Sequence, residues 1–299
     1  MRSLLYFFSA FICIFSGINA EIHHCKTIQE VLPHFEQTTA NTLVIFDLDD
    51  TLITKTDKVL RPAAKDYHMG CYFKLIQKVK FDHIVYLISI VEKFAQPELV
   101  DASWPSIIAD LQKITPYVMA HTAAFPKKMG IFENFPEARK QVLNALGIDF
   151  TPISSHYSDA ELKELGHIPN VHPVFYSGML FSENYAKGEA LGAFISHYGS
   201  TPDRVIFVDD HTNNLRSVEK ELTKRGIPFT GIHFEESTLF SDTYNEDIAA
   251  IQYYYLVEKN EWKNDEEAAH ILDTDGVPDE PVQDGDDDDG DDNEEIWSF

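Results

Sequence analysis

Two short acidic stations could carry chemistry in this chain. The apolar run Leu43-Val44-Ile45-Phe46 stops abruptly in Asp47-Leu48-Asp49-Asp50-Thr51, and Val205-Ile206-Phe207-Val208 runs into Asp209-Asp210. Four consecutive apolar residues read as a strand buried on both faces, the habit of parallel sheets covered by helices. Carboxylates crowded at such a strand end repel one another and lose hydration, so the arrangement calls for a compensating cation. In open parallel sheets ligands gather outside the carboxyl ends of the strands. Two acidic strand ends brought side by side would make an oxygen-rich site for a hard divalent ion, Mg²⁺ above all.

Asp47 ends its strand and would be fixed in place, which suits a nucleophile toward a phosphoryl group once a metal screens their repulsion. Asp49, two residues on, would project to the same side and serve as general acid and base, given a carboxyl pKa raised by its neighbours. Thr122 ends the strand-like Tyr117-Val118-Met119-Ala120 and could hold phosphoryl oxygens, although a threonine there also caps helices. Lys187, opening a helical stretch with Gly188 after it, could neutralise the nucleophile and the incoming phosphate. Asp209 and Asp210, with Asn214 four residues later, would complete a Mg²⁺ shell with Asp47, the backbone carbonyl of Asp49, water and substrate. His121 and His211 flank these stations and read as neighbours rather than ligands; the remaining histidines show no metal-ligand spacing.

These stations, in this order, resemble the haloacid dehalogenase-like (HAD) superfamily. VIFDLDDT at 44–51 is similar to its hhhDxDxT motif, and VMAHT at 118–122 to its strand ending in Thr or Ser. Lys187 in AKGEAL resembles its third motif, and Asp209, Asp210 and Asn214 its DDxxxN motif. The resemblance spans residues 41–235, and the chain looks similar to a branch of secreted bacterial members. It implies a HAD-like Rossmannoid parallel sheet with Asp47 as nucleophile through an aspartyl-phosphate and Asp49 as acid and base. It further implies Thr51, Thr122, Lys187 and Asn214 around the phosphate, and Mg²⁺ held by Asp47, Asp49, Asp209 and Asp210.

The elements that must position these residues alternate strand and helix, so the fold class is α/β with a parallel sheet. Helical spacing covers residues 70–95 and the stretch after Ser103, which makes 55–115 a mainly helical cap insert after the first strand. Residues 21–54 and 116–272 form the core, with helices at 136–146, 187–198, 213–225 and 244–259. Strands are expected at 148–153, 174–181, 204–208 and 229–234. Residues 1–20 read as a secretory signal peptide, with a basic Arg2, an apolar Leu4–Phe15 stretch and a small Ala20; the stretch is short for a membrane anchor. Two cysteines then remain, Cys25 and Cys71, which could pair in an oxidising compartment.

The net charge is −25, and 13 of the negative charges fall in 273–299, leaving −12 on residues 1–272. That balance excludes electrostatic binding to nucleic acid or anionic lipid. Residues 273–299 read as an acidic disordered tail. Its Asp273–Asp279 string resembles a fragment of an extracellular calcium-binding repeat but lacks the leading carboxylate. The expected function is an exported, periplasmic or secreted, Mg²⁺-dependent phosphatase acting on a small phosphorylated substrate. The alternative is a non-catalytic secreted binding or effector protein on the same scaffold.

Overall fold

The computed structural model describes residues 20–169, 171–240 and 243–278, with the backbone alone at Lys78. The signal-like residues 1–19 and most of the acidic tail, 279–299, lie outside the described residues. The chain begins with β1 (Ala20–Cys25), a short α1 (Ile28–Val31), β2 (Thr42–Phe46) and β3 (Ile53–Lys55). Helices α2 (Lys65–Lys78) and α3 (Phe81–Phe94) precede β4 (Pro97–Leu99), α4 (Trp104–Ile114) and β5 (Val118–Thr122). Then come α5 (Phe135–Ala145), β6 (Ala160–Glu161), β7 (Val174–Tyr176) and β8 (Met179–Phe181). The last part runs α6 (Lys187–Tyr198), β9 (Arg204–Asp209), α7 (Thr212–Arg225), β10 (Phe229–Phe234), α8 (Glu246–Tyr254) and α9 (Asp265–Asp275).

Eight strands form one sheet in the order β1-β10-β9-β2-β5-β8-β7-β6. Every pairing from β1 to β8 along this order is parallel, and at one edge β7 pairs antiparallel with both β8 and β6. The α/β class with a mostly parallel sheet is therefore as the apolar runs required. All five residues of β2 are buried, because helices cover both faces. Val44 and Phe46 face a core shared with α1, α4 and α5, including Trp104, Leu111 and Leu143. Leu43 and Ile45 face the other way, toward Leu191 and Phe194 of α6 and Leu215 and Val218 of α7. The alternation is the two-residue period of a strand, with both faces dry.

α4 does not sit apart with the expected insert. Its Trp104 is fully buried, with its ring 5.4 Å from Phe46 and 5.3 Å from Phe234, so it belongs to the sheet's core. The antiparallel pair β3–β4, with Ile53 opposite Leu99, closes the insert at its base. Between them the expected single helical stretch breaks at Val79, whose extended backbone separates α2 from α3.

The insert packs against the end of the chain, where Val59, Leu87 and Ile90 meet Ala249, Leu256 and Trp262. Asp57 fastens this junction: its buried carboxylate accepts from Trp262 Nε1 at 2.7 Å and from the Asp265 N–H at 3.0 Å.

Two other expectations are corrected, and a pairing left open is not formed. Residues 148–153 are not a strand; Pro152 lies in a one-turn 3₁₀ helix, Thr151–Ser155. α9 extends to Asp275, capped by the reciprocal Asn264–Glu267 bonds, so the tail's first residues are helical. Cys25 and Cys71 are free thiols, the former buried at the end of β1 and the latter on α2.

Candidate active site

β2 lies between β9 and β5. The chain leaves β2 toward β5 and β8 on one side, then returns to β9 and β10 on the other, which makes the β2–β9 boundary a topological switch point. Phe46 is level with Val208, and the Asp47 N–H donates to the Val208 carbonyl at 2.8 Å. Asp47 and Asp209 therefore leave the sheet side by side, although 162 positions separate them in sequence.

The loop after β2 is fixed by its own backbone. Leu48 and Leu52 plug the core at zero exposure, and the N–H groups of Leu52 and Ile53 both donate to the Leu48 carbonyl at 3.0 Å. The turn this demands puts Asp50 in the left-handed region at φ 58°, which aspartate tolerates better than most side chains. Thr51 is wholly buried, and its Oγ accepts the Asp210 N–H at 3.0 Å. It ties the two acidic loops together, and burial leaves it no open face for a phosphate.

Lys187 is 3% exposed, and its Nζ donates to Asp47 Oδ1 at 2.5 Å and to Asp209 Oδ2 at 2.7 Å. It occupies the first turn of α6, and Gly188 brings that turn close to α7. A Cβ at Gly188 would fall 2.1 Å from the Ser217 carbonyl oxygen. Asp209, fully buried, has both oxygens occupied. Oδ1 accepts the His211 N–H at 2.8 Å and Asn214 Nδ2 at 3.0 Å, while Oδ2 takes Lys187 and Asn214 Nδ2 at 3.2 Å. Asn214 thus serves Asp209 rather than a phosphate. Asp210 is more open, with Oδ2 2.7 Å from His211 Nδ1.

Thr122 is buried at the end of β5, with its Oγ accepting the Ala124 N–H at 3.1 Å. Its carbonyl takes the N–H and hydroxyl of Ser182. His121 lies beneath the site, stacked on Phe207, and neither ring nitrogen has a hydrogen bond among the described residues. Burial, helped by Lys187, pushes its pKa well below the ordinary value, so the ring is neutral.

Asp49 stands apart from this cluster. Its side chain is 53% exposed and is gripped by Arg139 Nη2. Arg139, buried on α5, also donates to Glu92 of α3 at 3.2 Å, and Glu92 binds Lys55 at 2.9 Å. No spacing signal in the sequence points to Arg139, which sits among other polar residues of an amphipathic helix. Its surroundings push the Asp49 carboxyl up by desolvation, but the charge and hydrogen bond of Arg139 outweigh that and hold it below the ordinary carboxylate range. A raised pKa for an acid at Asp49 is therefore not found.

Asp47 behaves in the opposite way. Burial pushes its carboxyl well above the usual range against the pull of Lys187, and Asp209, Asp210 and Asp49 push in the same direction as burial. Lys187 alone does not balance the cluster. Asp47 Oδ2 and Asp210 Oδ1 take no hydrogen bond among the described residues. Two unclaimed carboxylate oxygens beside an excess of negative charge fit a hard divalent cation. Donor atoms of Asp209, Asp210 and His211 lie within 4.8 Å of one another, a set able to take part in holding such an ion.

No helix among the described residues is long and apolar enough to cross a membrane. The chain is 22% identical to an uncharacterised protein of Rickettsia prowazekii (strain Madrid E), across 82% of this chain and 87% of that one. A protein of Rickettsia bellii (strain RML369-C) is 25% identical, over 77% and 82% of the two chains. A Chlamydia trachomatis protein named "Putative outer membrane protein" is 23% identical, over 81% and 87%. No solved structure matches the chain. The resemblance to the haloacid dehalogenase-like superfamily is overturned: no model of that superfamily matches, and the one that does covers residues 24–269 and describes a different family. The acidic stations had suggested a superfamily through short motifs at strand ends, which many parallel sheets can present. By that match, over most of its length, the chain belongs to the DUF2608 family of proteins of unknown function.

Proposed function

We propose that this protein hydrolyses a phosphomonoester through a covalent aspartyl-phosphate on Asp47, assisted by Mg²⁺. The observation that carries the reading is the pairing of Asp47 and Asp209 through the buried Lys187, with one Asp47 oxygen left unclaimed at the switch point. Asp47 and Asp210 would hold the cation. When bound, the ion supplies positive charge that keeps Asp47 ionised and screens it from the phosphoryl oxygens.

The Asp47 carboxylate attacks phosphorus through one oxygen while the other faces the cation, the bond from phosphorus to the leaving oxygen breaks, and that oxygen departs with the electron pair. Lys187 fixes the carboxylate and faces the phosphoryl charge with its ammonium. Asp49, kept ionised by Arg139, then takes a proton from water as the water attacks phosphorus. Phosphate leaves, the Asp47 carboxylate is regenerated, and Asp49 gives its proton to solvent, from which the departed oxygen takes one. Because Asp49 starts without a proton to give, substrates with stabilised leaving groups, such as aryl phosphates, react faster than alkyl phosphates.

Helices α2 and α3 act as a cap over this mouth, hinged where β3 and β4 pair and linked to Asp49 through Lys55, Glu92 and Arg139. The signal-like residues 1–20 and the name carried by the chlamydial relatives support export.

The test is release of phosphate from an aryl phosphate by wild type and Asp47→Asn, with and without Mg²⁺. Turnover should need both Asp47 and the ion. Equal inertness of both proteins across a broad panel of phosphorylated compounds would leave the non-catalytic exported binding protein as the reading to adopt.

A further inference from the structure

A second group of metal donors lies beside the acidic cluster, at the far edge of the sheet. β1 and β10 pair in parallel with His24 opposite His233, and Glu235 follows β10. His24 Nδ1 and His233 Nδ1 are 2.9 Å apart, and Glu235 Oε1 is 3.7 Å from His233 Nδ1. One donor atom from each of the three residues lies within 4.8 Å of the others. The two rings meet edge to face, at 87° and 4.9 Å between centroids.

The orientation of His233 is set from its other side. Its Nε2 is 2.8 Å from the Asp210 carbonyl oxygen. A carbonyl only accepts, so Nε2 carries the proton and Nδ1 presents a lone pair toward His24 and Glu235. Metal-bound imidazoles are held this way, one nitrogen ligating while the other donates to a carbonyl or carboxylate. A simple imidazole–imidazole hydrogen bond accounts for the 2.9 Å separation, but it gives Glu235 no part. Opening that separation to about 3.3 Å would seat a tetrahedral ion at the usual Zn–N distance of ~2.0–2.1 Å. His24 is exposed and can turn by that amount.

Two imidazoles and one carboxylate suit a borderline ion and not Mg²⁺, which prefers oxygen alone. We infer that His24, His233 and Glu235 form a Zn²⁺ site with its fourth position open to water. Such an ion clasps the first strand to the last and, through His233, holds the backbone of Asp210. This inference does not depend on the phosphatase reading, since the three ligands lie outside the proposed catalytic residues.

The test strips the full chain with chelator and loads it with Co²⁺ or Zn²⁺ in excess Mg²⁺, which saturates the acidic cluster. Wild type should retain one transition ion per chain, and with Co²⁺ show the visible bands of four-coordinate geometry. His24→Ala and Glu235→Gln should each weaken retention more than about tenfold, with circular dichroism unchanged. Asp47→Asn should retain the ion as wild type does. Substoichiometric metal in wild type, or undiminished binding by His24→Ala, overturns the inference.

Discussion

Replacing Lys187 by Met keeps an unbranched apolar stem in the same slot and deletes the charge that joins two buried carboxylates. Both partners are close to fully buried, at 8% side-chain exposure for Asp47 and 0% for Asp209, and the bonds lost are 2.5 and 2.7 Å long. Removing one member of a buried ionic group typically costs about 3–5 kcal/mol, because the remaining charges stay desolvated. For a unit of this size each kcal/mol moves the melting temperature by about 2–4 °C, so the variant should melt roughly 6–20 °C below wild type.

The assay is thermal and urea unfolding at neutral pH in chelator, followed by circular dichroism. The loss should shrink in acid. Without Lys187 the Asp47 carboxyl, already raised by burial, rises further, and a raised carboxyl makes stability fall as pH climbs from the unfolded to the folded pKa. The double variant Lys187→Met/Asp47→Asn should recover most of the loss. A single variant within about 1 kcal/mol of wild type, or a double variant no better than the single, would refute the view that Lys187 neutralises this pair.

Three further outcomes follow from the same geometry. Burial pushes the Asp50 carboxyl up to about 7, against the Thr54 hydrogen bond and with help from Asp210 and Asp49. Wild-type stability in chelator should therefore drop between about pH 4 and pH 7 by up to ~1.4 kcal/mol per unit from this group, and Asp50→Asn should flatten that slope. Gly188→Ala forces a methyl group against the Ser217 carbonyl; it should cost about 1–3 kcal/mol in urea unfolding and lower phosphate release by displacing Lys187. Arg139→Met frees Asp49, so the basic group governing kcat should titrate at a higher pH, which a pH–rate profile would show.

The apolar runs ending in Asp47 and Asp209 were legible because a strand buried on both faces needs unbroken hydrophobicity, and charges at its end stand out. A shorter apolar run located β5, and the glycines after them marked the ends of α6 and α7, where Gly199 and Gly226 adopt left-handed caps. β1 was missed, since Glu21, His23 and His24 dilute its pattern at a sheet edge where one side meets water. α9 was missed between the last expected helix, ending at 259, and the tail expected from 273, although the acids of its first turn suit a helix N-terminus.

Within the site, motif position alone could not separate a ligand from a residue that holds one. Asn214 and Thr51 were read as phosphate contacts, yet Asn214 Nδ2 donates to Asp209 and Thr51 Oγ accepts the Asp210 N–H. Arg139 and His233 were invisible because each acquires its role from partners remote in sequence. The superfamily reading failed for a related reason, in that four short stations constrain local chemistry far more than they constrain ancestry.

The placement of β1 has a consequence for how the molecule comes into being. Among the described residues its only sheet neighbour is β10, with His24 and His233 separated by 209 positions. The leading segment therefore has nothing to zip onto until almost the whole polypeptide has emerged, and closing so long a loop is slow. A nascent polypeptide arrested before Phe229 should expose residues 20–25 to protease, and release past Phe234 should protect them.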